Sequence, residues 1–563
     1  MPAASLPTPF GAGWVFIRPV QRERRLHMSI WQALLIALIG YMSSIYSPWL
    51  LGGLGGWYTT GRPFVAGMII GLILGDVKTG ILMGAAVQAL YIGLVTPGGA
   101  MPADVNFAAY IGIPLAMIAG LPSSEAVALS VPLSFFGVAM VYLVVTVNCL
   151  FVHWQDRLIE QGKLRTAINV PVYGQITNFI VRFFPIFLIN YFGAPYITQI
   201  SKLIPPIVQT MLVTFGSILP AVGFGLLLSF IIKEDFELLY FLVGFALVAV
   251  WKTSIVPVLL IGVFLAYLDI RYKRAERSAT MVTEQPITEG LTKEGSLLSG
   301  RDVRKAYFSW MFWNLSVQNM ERMQAPAIVR MLGTVMDKLY NTVEEKKALL
   351  ARHTPFFNTE PNIGCIVPGV VLGMEEEKAR GADIDDEIII NTRTALMGPL
   401  AGIGDSLLPG TYIPILLSIG LGLSKDGSIA GPLFYIVVFL GTMIPLTMWL
   451  FNMGYRSGIN AVEAILASGL KDLISDAAAI VGGTVVGGIS ATYVAANLGW
   501  EFKSGEMVIS LQNILDSIFP SLVPLLLTLL AYYLIAKKKS TIGRTFFVFF
   551  VIAVVGVLVR FFV

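Results

Sequence analysis

The stretch Phe312–Pro326, FWNLSVQNMERMQAP, lies between two strongly hydrophobic halves of the chain. Val303, Tyr307, Trp310, Val317 and Met320 recur at three- to four-residue steps with one seven-residue gap. That spacing predicts an amphipathic helix with these residues on one face. Asn314, Gln318 and Glu321 follow at i, i+4 and i+7 as a second, polar stripe, with Gln324 three residues further on. Pro326 is expected to end or kink the helix, because it has no amide hydrogen and its ring crowds the preceding turn. Amides and a carboxylate beside an aromatic face suit a hydroxyl-rich ligand, since the carboxylate accepts and the amides both accept and donate. The same pattern also reads as an interfacial helix whose polar side faces water.

Working outward, composition sets the class. Of 563 residues, 56% are hydrophobic and 13% charged, with mean hydropathy +0.75. Soluble domains carry about 25% charged residues, so this is a multi-span membrane protein. The 55 glycines and 30 prolines predict broken helices and close helix contacts. A net charge of +4 fits cytoplasmic loops and gives no reason to expect nucleic acid. The two cysteines, Cys149 and Cys365, have no metal-ligand spacing and suggest neither a disulfide framework nor an activated nucleophile. Three histidines, His27, His153 and His353, bound any acid–base or phosphoryl-carrier role.

Residues 1–27 carry Arg18, Arg22, Arg24 and Arg25 ahead of a long apolar run from Met28, read as a first retained span with its basic flank inside. Met28 is an equally good initiator. The apolar run before Asp76 is too short to span, and 79–103 holds Gln88 and then Thr96-Pro97-Gly98-Gly99, which should unwind the backbone. Short, Gly/Pro-interrupted segments point to discontinuous helices meeting at a transport site. Asp76 and Lys78 read as a loop ion pair, and Asp104 and Asn106 as ligand contacts. Apolar runs follow at about 106–121, 126–152, 172–192, 203–232 and 238–268. Lys252 either lines a cavity or marks a helix end beside Pro257. The basic DIRYKRAERS after Leu268 places that end inside, and 276–296 reads as a polar linker.

The second half opens with a charged segment, 301–393, in which Glu375–Lys378 and Asp383–Glu387 read as solvated faces. Asp405 is different: it is the only charge between Arg393 and Lys425, set among glycine and proline. An isolated carboxylate at membrane depth is a functional-site candidate, the alternative being a partner for an arginine such as Arg322. Spans are expected at 427–455, 477–500, 517–536 and 541–559, the second rich in small residues and so closely packed. Lys537–Lys539 place the last loop inside and the C-terminus outside.

GDVKTGILMG (75–84) and the break after it resemble the enzyme IIC subunit of the mannose-family phosphotransferase system (PTS). NMERMQA (319–325), RHTPFFNTEP (352–361), EEEKARGADIDD (375–386) and LMGPLAGIGD (396–405) resemble its enzyme IID subunit. The resemblance covers essentially everything from Met28 onward and implies a natural fusion of IIC and IID, usually two chains. The implied architecture is an all-α polytopic membrane protein of two helical halves, with broken or re-entrant helices and a cytoplasmic-side amphipathic segment opening the second half. Its expected parts are an extension 1–27, a IIC-like domain 28–275, the linker 276–296 and a IID-like domain 297–563, divided into 301–393 and the spans of 394–563.

The resemblance further implies a sugar-translocating component of the bacterial cytoplasmic membrane, forming a homotrimer of the fused chain and moving its sugar in an elevator-like way. Phosphate passes from enzyme I and HPr through IIA to a cognate IIB, which phosphorylates a hexose or amino sugar at the inner face. This chain then supplies no phospho-carrier residue, and no cofactor or metal is expected. Carried over by position, the sugar contacts are Gln88, Thr96, Asp104, Asn106, Asn319, Glu321, Arg322, Gln324, Asn358 and Asp405. Each polar partner left unmet in such a site would cost roughly 1–3 kcal/mol. His353 is expected to be structural. Gln88 stands where the mannose-type pattern has a glutamate, and TPGGAMPAD replaces the mannose-type loop, so the resemblance does not imply mannose itself. An ion-coupled sugar symporter, with Asp405 or Asp104 carrying the ion, is the alternative class; the charged insert 301–393 favours the PTS reading, since a symporter needs no docking surface for a soluble kinase.

Overall fold

The structure, a computed structural model, describes residues 28–96, 101–203, 205–232, 234–278, 296–457, 470–504 and 507–563. The extension 1–27, most of the linker 276–296 and the Pro97–Gly99 break lie outside the described residues.

Ser29 and Gln32 form a capping box that starts α1 (Ile30–Met42). Then come α2 (Pro63–Leu74) and α3 (Val77–Leu90), of 12 and 14 residues, each too short to cross a bilayer alone at about 20 residues per span. They fold into an antiparallel hairpin on glycine. A side chain at Gly67 would strike the Gly80 carbonyl and stand 2.8 Å from the Gly84 Cα. Only small residues allow backbones this close. Gly75, at φ +84°, turns the chain. Asp76 accepts from the Thr79 amide (3.1 Å) and hydroxyl (2.8 Å), so it caps α3 and does not pair with Lys78.

The first half continues with α4 (Ser123–Glu160), α5 (Gln175–Leu203), α6 (Pro206–Ile218), α7 (Pro220–Ile231), α8 (Leu238–Ala249) and α9 (Ile255–Ser278). Lys252 lies in the α8–α9 break, exposed and at φ +54°, so it marks a helix end. The second half runs through α10 (Gly300–Trp313), α11 (Ala325–Gly333), α12 (Val343–Arg352), α13 (Ile366–Ala379), α14 (Asp386–Leu407), α15 (Ile413–Leu423) and α16 (Ala430–Ser457). It closes with α17 (Leu470–Tyr493), α18 (Leu511–Ile518), α19 (Leu522–Tyr532) and α20 (Ile542–Leu558). Among the described residues six helices are long and apolar enough to cross a membrane, or seven if the pair at α18 and α19, bent by 77°, counts as one span. Among the described residues the regular structure is helical except for a small antiparallel ribbon, β1 (Glu501–Ser504) with β2 (Met507–Ser510).

Two expectations need correction. The helix predicted through Phe312–Pro326 stops at Trp313, and Pro326 opens α11. Val303, Tyr307 and Trp310 do share the buried face of α10, but Val317 is buried outside any helix and Met320 is 52% exposed. Beyond the helix, Asn319 Oδ1 accepts from the Glu321 and Arg322 amides, offering the backbone there a turn in place of a helix. Pro326 suits the first turn of a helix, where its missing N–H has no partner to lose.

The second correction concerns the acidic run. Asp383 and Asp385–Glu387 are exposed as expected, but Glu375 and Glu376 are fully buried. Glu376 accepts from the Leu298 amide (2.8 Å), Ser296 Oγ (2.7 Å) and Tyr455 hydroxyl (2.5 Å). Glu375 meets His353 Nε2 at 2.7 Å and Arg352 at 3.2 Å.

The halves interlock. A Cβ at Gly487 on α17 would stand 2.7 Å from the Phe245 amide of α8, and one at Gly262 on α9 3.3 Å from the Val481 Cα of α17. On the other flank Gly225 of α7 approaches the Tyr532 amide of α19, at 2.6 Å from an ideal Cβ.

Candidate functional site

Two extended segments of the second half are stitched together beside this junction. Gln324 Nε2 donates to the Thr359 carbonyl (2.8 Å), and the Thr359 amide donates back to Gln324 Oε1 (3.3 Å). Met323 and Phe357 form an isolated parallel bridge, and Trp310 Nε1 donates to the Pro361 carbonyl at 3.0 Å. The 314–324 turn is tied to the first half as well: Asn148 Nδ2 donates to the Gln318 carbonyl, and Gln175 Nε2 to the Ser316 and Tyr46 carbonyls. These ties satisfy backbone groups that irregular chain cannot leave unpaired at membrane depth.

Between the halves lies a narrow cavity of about 40 Å³, room for roughly three waters. The first half contributes Tyr46, Tyr58, Thr96 and Met101, and the second Gln318, Gln324, Asn358, Thr359, Glu360 and Asp405. Four expected contacts thus come together: Thr96, Gln324, Asn358 and Asp405. Asp405 is presented by α14, which cannot continue regularly. Pro409 has no N–H for the Asp405 carbonyl, and the ladder resets through a wide turn at Leu408–Tyr412. Thr411 Oγ1 donates to the freed Ser406 carbonyl at 2.8 Å.

Glu360 was not among the expected contacts. Its carboxylate accepts from the Ile363 amide (2.6 Å), the Asn362 amide (3.1 Å) and Asn362 Nδ2 (2.7 Å). Burial pushes its carboxyl up to about 7 against these hydrogen bonds, and the charge of Asp405 adds to the rise. The side chain lies flat on Gly404, where any Cβ would come within 2.8 Å of Oε2. Tyr46, Tyr58, Gln318 and Thr359 were likewise missed as contacts, although Gln318 stood in the polar stripe. Nothing in the local spacing marks the others, because the chain around them is not periodic.

The other six expected contacts lie outside the lining, and all but Gln88 have a local task. Asp104 caps the turn at Val105 by accepting from the Asn106 (3.0 Å) and Phe107 (3.1 Å) amides, and forms a fully buried ion pair with Arg182. Arg182 stacks 4.8 Å over the Phe107 ring. Asn106 Nδ2 donates to the Gly40 carbonyl at 3.1 Å. Gln88 is buried, and neither of its side-chain polar atoms finds a hydrogen-bond partner among the described residues. Asn319 shapes the turn described above. Glu321 and Arg322 clamp that turn onto α4, through His153 at 3.1 Å and a two-pronged contact of 2.6 Å to Asp156. Arg322 is therefore the partner of Asp156 and not of Asp405.

His353 sits apart, fully buried. Arg393 can only donate, so its contact at 3.3 Å makes Nδ1 the acceptor and leaves the proton on Nε2, facing Glu375. Burial holds the His353 pKa below its ordinary value, and the two arginines oppose a second proton while Glu375 favours one.

Comparison with known proteins follows the same division of the chain. Residues 297–562 match the model of the PTS mannose/fructose/sorbose family IID component, and residues 30–268 that of the sorbose-specific IIC component. The mannose-specific EIID component of Escherichia coli (strain K12) is 34% identical over 245 residues, covering 42% of this chain and 86% of that protein. The fructose permease IIC component of Bacillus subtilis (strain 168) is 26% identical over 254 residues, 45% of this chain and 92% of that one. A solved mannose transporter ManYZ, in complex with microcin E492, is 31% identical over 47% of this chain and 99% of its own, with a TM-score of 0.28. With IIC-type residues before the linker and IID-type residues after it, the chain belongs to the mannose/fructose/sorbose family of PTS permeases, as a IIC–IID fusion of the bacterial cytoplasmic membrane.

Proposed function

We propose that the chain imports a hexose or amino sugar through the cavity between its halves, and that a cognate phospho-IIB phosphorylates the sugar as it reaches the cytoplasmic face. The observation that carries this reading is the cavity itself. Its lining mixes apolar and polar side chains, it lies at the junction of the IIC-type and IID-type halves, and four of the contacts implied by family resemblance line it. Thr96, Gln324, Asn358 and Asp405 act as sugar contacts, exchanging water for hydroxyls; Glu360 joins them. Room for a few waters is too little for a hexose, so loading requires the walls to part. An elevator-like movement of one body against the other, in a homotrimer of the fused chain, does that. The clamp of Glu321 and Arg322 on α4 transmits the movement to the lining through Gln318 and Gln324. The phosphoryl group comes from IIB, as the family resemblance implies; His353 and Cys365 are buried and engaged.

The test uses vesicles holding the full chain, labelled hexoses and amino sugars, and purified PTS proteins. Sugar should accumulate as its phosphate only when phospho-IIB is present, and Asp405→Asn should abolish accumulation in folded protein. Free sugar accumulating on an ion gradient without IIB would establish a symporter instead.

A further inference from the structure

Consecutive antiparallel helices joined by a short loop ordinarily pack on each other, but α19 and α20 scarcely touch. α19 lies on α7 through the close approach of Gly225 to the Tyr532 amide, and α20 lies on α6, with Phe215 and Phe550 edge to face at 5.4 Å. Between them runs a trough of about 470 Å³, inside the range of roughly 300–1,000 Å³ that holds ligands. Every residue lining it is apolar: Leu526 and Leu530 come from α19, Val551 and Val555 from α20, and Phe562 from the chain beyond. Leu526, Val551 and Val555 are exposed, so the trough opens to the bilayer. Such a lining offers water no hydrogen-bond partner and suits hydrocarbon.

One end of the trough carries the marks of the membrane surface. Trp500, half-exposed, donates from Nε1 to the Val559 carbonyl at 3.0 Å and lies edge to face on Phe561 at 5.3 Å. The Leu511 amide donates to the Trp500 carbonyl, which ties the start of α18 to the same place. α18 is bent by 77° from α19, and its Ile514 and Ile518, four residues apart, are exposed. A tryptophan and a short amphipathic helix turned off the span axis both belong at headgroup level. Arg560 stands there too, between the lining residues Val559 and Phe561. It is exposed, and among the described residues its guanidinium has neither an ion pair nor a hydrogen bond. A guanidinium at that depth complements a phosphate, as the trough complements an acyl chain.

We propose that this trough is a phospholipid site, holding one acyl chain between α19 and α20 while Arg560 binds the phosphate. Lys537–Lys539 lie at the opposite end of the two helices, which puts the site in the outer leaflet by the positive-inside rule. The acyl chain fills the gap left where α19 packs on α7 and α20 on α6.

The purified full chain, stripped of lipid in dodecyl maltoside, is titrated with phosphatidylglycerol carrying a diazirine on one acyl chain; after photolysis the labelled peptides are mapped by mass spectrometry. Labelling should saturate and should concentrate in 522–530 and 551–562, well above the exposed side of α5 at Phe184 and Leu188. Unlabelled phosphatidylglycerol should displace the label about fivefold more effectively than diacylglycerol with the same chains, as one basic residue near a membrane surface predicts. Arg560→Gln should remove that difference. Val555→Trp, which fills the trough, should remove labelling from both segments and leave that of α5 unchanged. Labelling of the trough no stronger than that of α5 in the unaltered chain would overturn the proposal without recourse to any variant. So would diacylglycerol competing as well as the phospholipid. Label found on monomers but absent from larger assemblies, separated by size before mapping, would give the trough to a second copy of the chain and overturn it as well.

Discussion

At the scale of single residues, Glu375 is a heavily constrained group outside the cavity. It is buried against His353 and Arg352, with the Tyr340 hydroxyl donating at 3.4 Å, and Arg393 closes the cluster behind His353. Removing one member of such a buried cluster leaves uncompensated charge, at a cost of about 3–5 kcal/mol. Glu375→Ala should therefore lower the thermal unfolding temperature in detergent well beyond the change produced by Asp383→Ala on the exposed run; equal stabilities would sink this account. The histidine adds a pH dependence whose sign is fixed. Its folded pKa lies below the ordinary value of about 6.5, so the unfolded chain takes up the proton first as pH falls. The contribution is fully present above that value and is lost as pH drops from there towards the folded pKa. Melting curves should show the loss below about pH 6.5, and His353→Gln, which keeps a donor for Glu375, should flatten it. An unchanged slope in that variant would mean other groups are responsible.

These residues show how much of the site was legible. Asp405 was readable because it is a lone charge among glycine and proline, where burial without purpose is costly. Glu375 and Glu376 were misread as solvated because three glutamates in a row look like a water-facing run. Successive helical positions are about 100° apart, so adjacent residues can point inward while Glu377 does not. Glu360 escaped because its place in the cavity depends on Gly404, 44 residues away and on another element. Asp104 was read as a ligand contact, but it lies outside the cavity lining, because Arg182 on α5, far off in sequence, neutralises it.

At the scale of elements, the shortness of α2 was foreseeable from run length, whereas the end of α10 was not. Hydrophobic spacing carries through Trp310 and then continues by coincidence at Val317, which is buried in chain that has already left the helix at Trp313. The hairpin makes a direct prediction. At Gly67, Gly80 and Gly84 the atoms that a side chain would meet are backbone, with Gly67 Cα 3.0 Å from an ideal Cβ at Gly84. Backbone cannot step aside as a flexible side chain can, so Gly67→Leu or Gly80→Leu should drive the two helices apart and sharply reduce folded protein in the membrane. Gly543→Leu, at a position with nothing within 4 Å, is the control and should express normally. Comparable yields from all three would show that the hairpin does not pack as described.

At the scale of the whole molecule, the question is whether the covalent link between the halves matters once they have folded. The contacts between them are extensive and specific: α17 fits glycine to backbone against α8 and α9, α7 meets α19, and the 314–324 turn is pinned to α4 and α5. Each half alone would expose the glycine-lined faces and leave Asp156 and Arg322 unpaired. A linker adds effective concentration but no contact of its own. Co-expressing 28–278 and 296–563 as separate chains should therefore give a complex that co-purifies in mild detergent and retains sugar uptake. Gly487→Leu, which would push α17 off α8, should abolish co-purification in the split form. In the fused form it should reduce activity less severely, because the tether keeps the partners together. If the unaltered fragments fail to associate while the fused chain is active, the interface described here is too weak to hold the halves, and the linker itself must be what joins them.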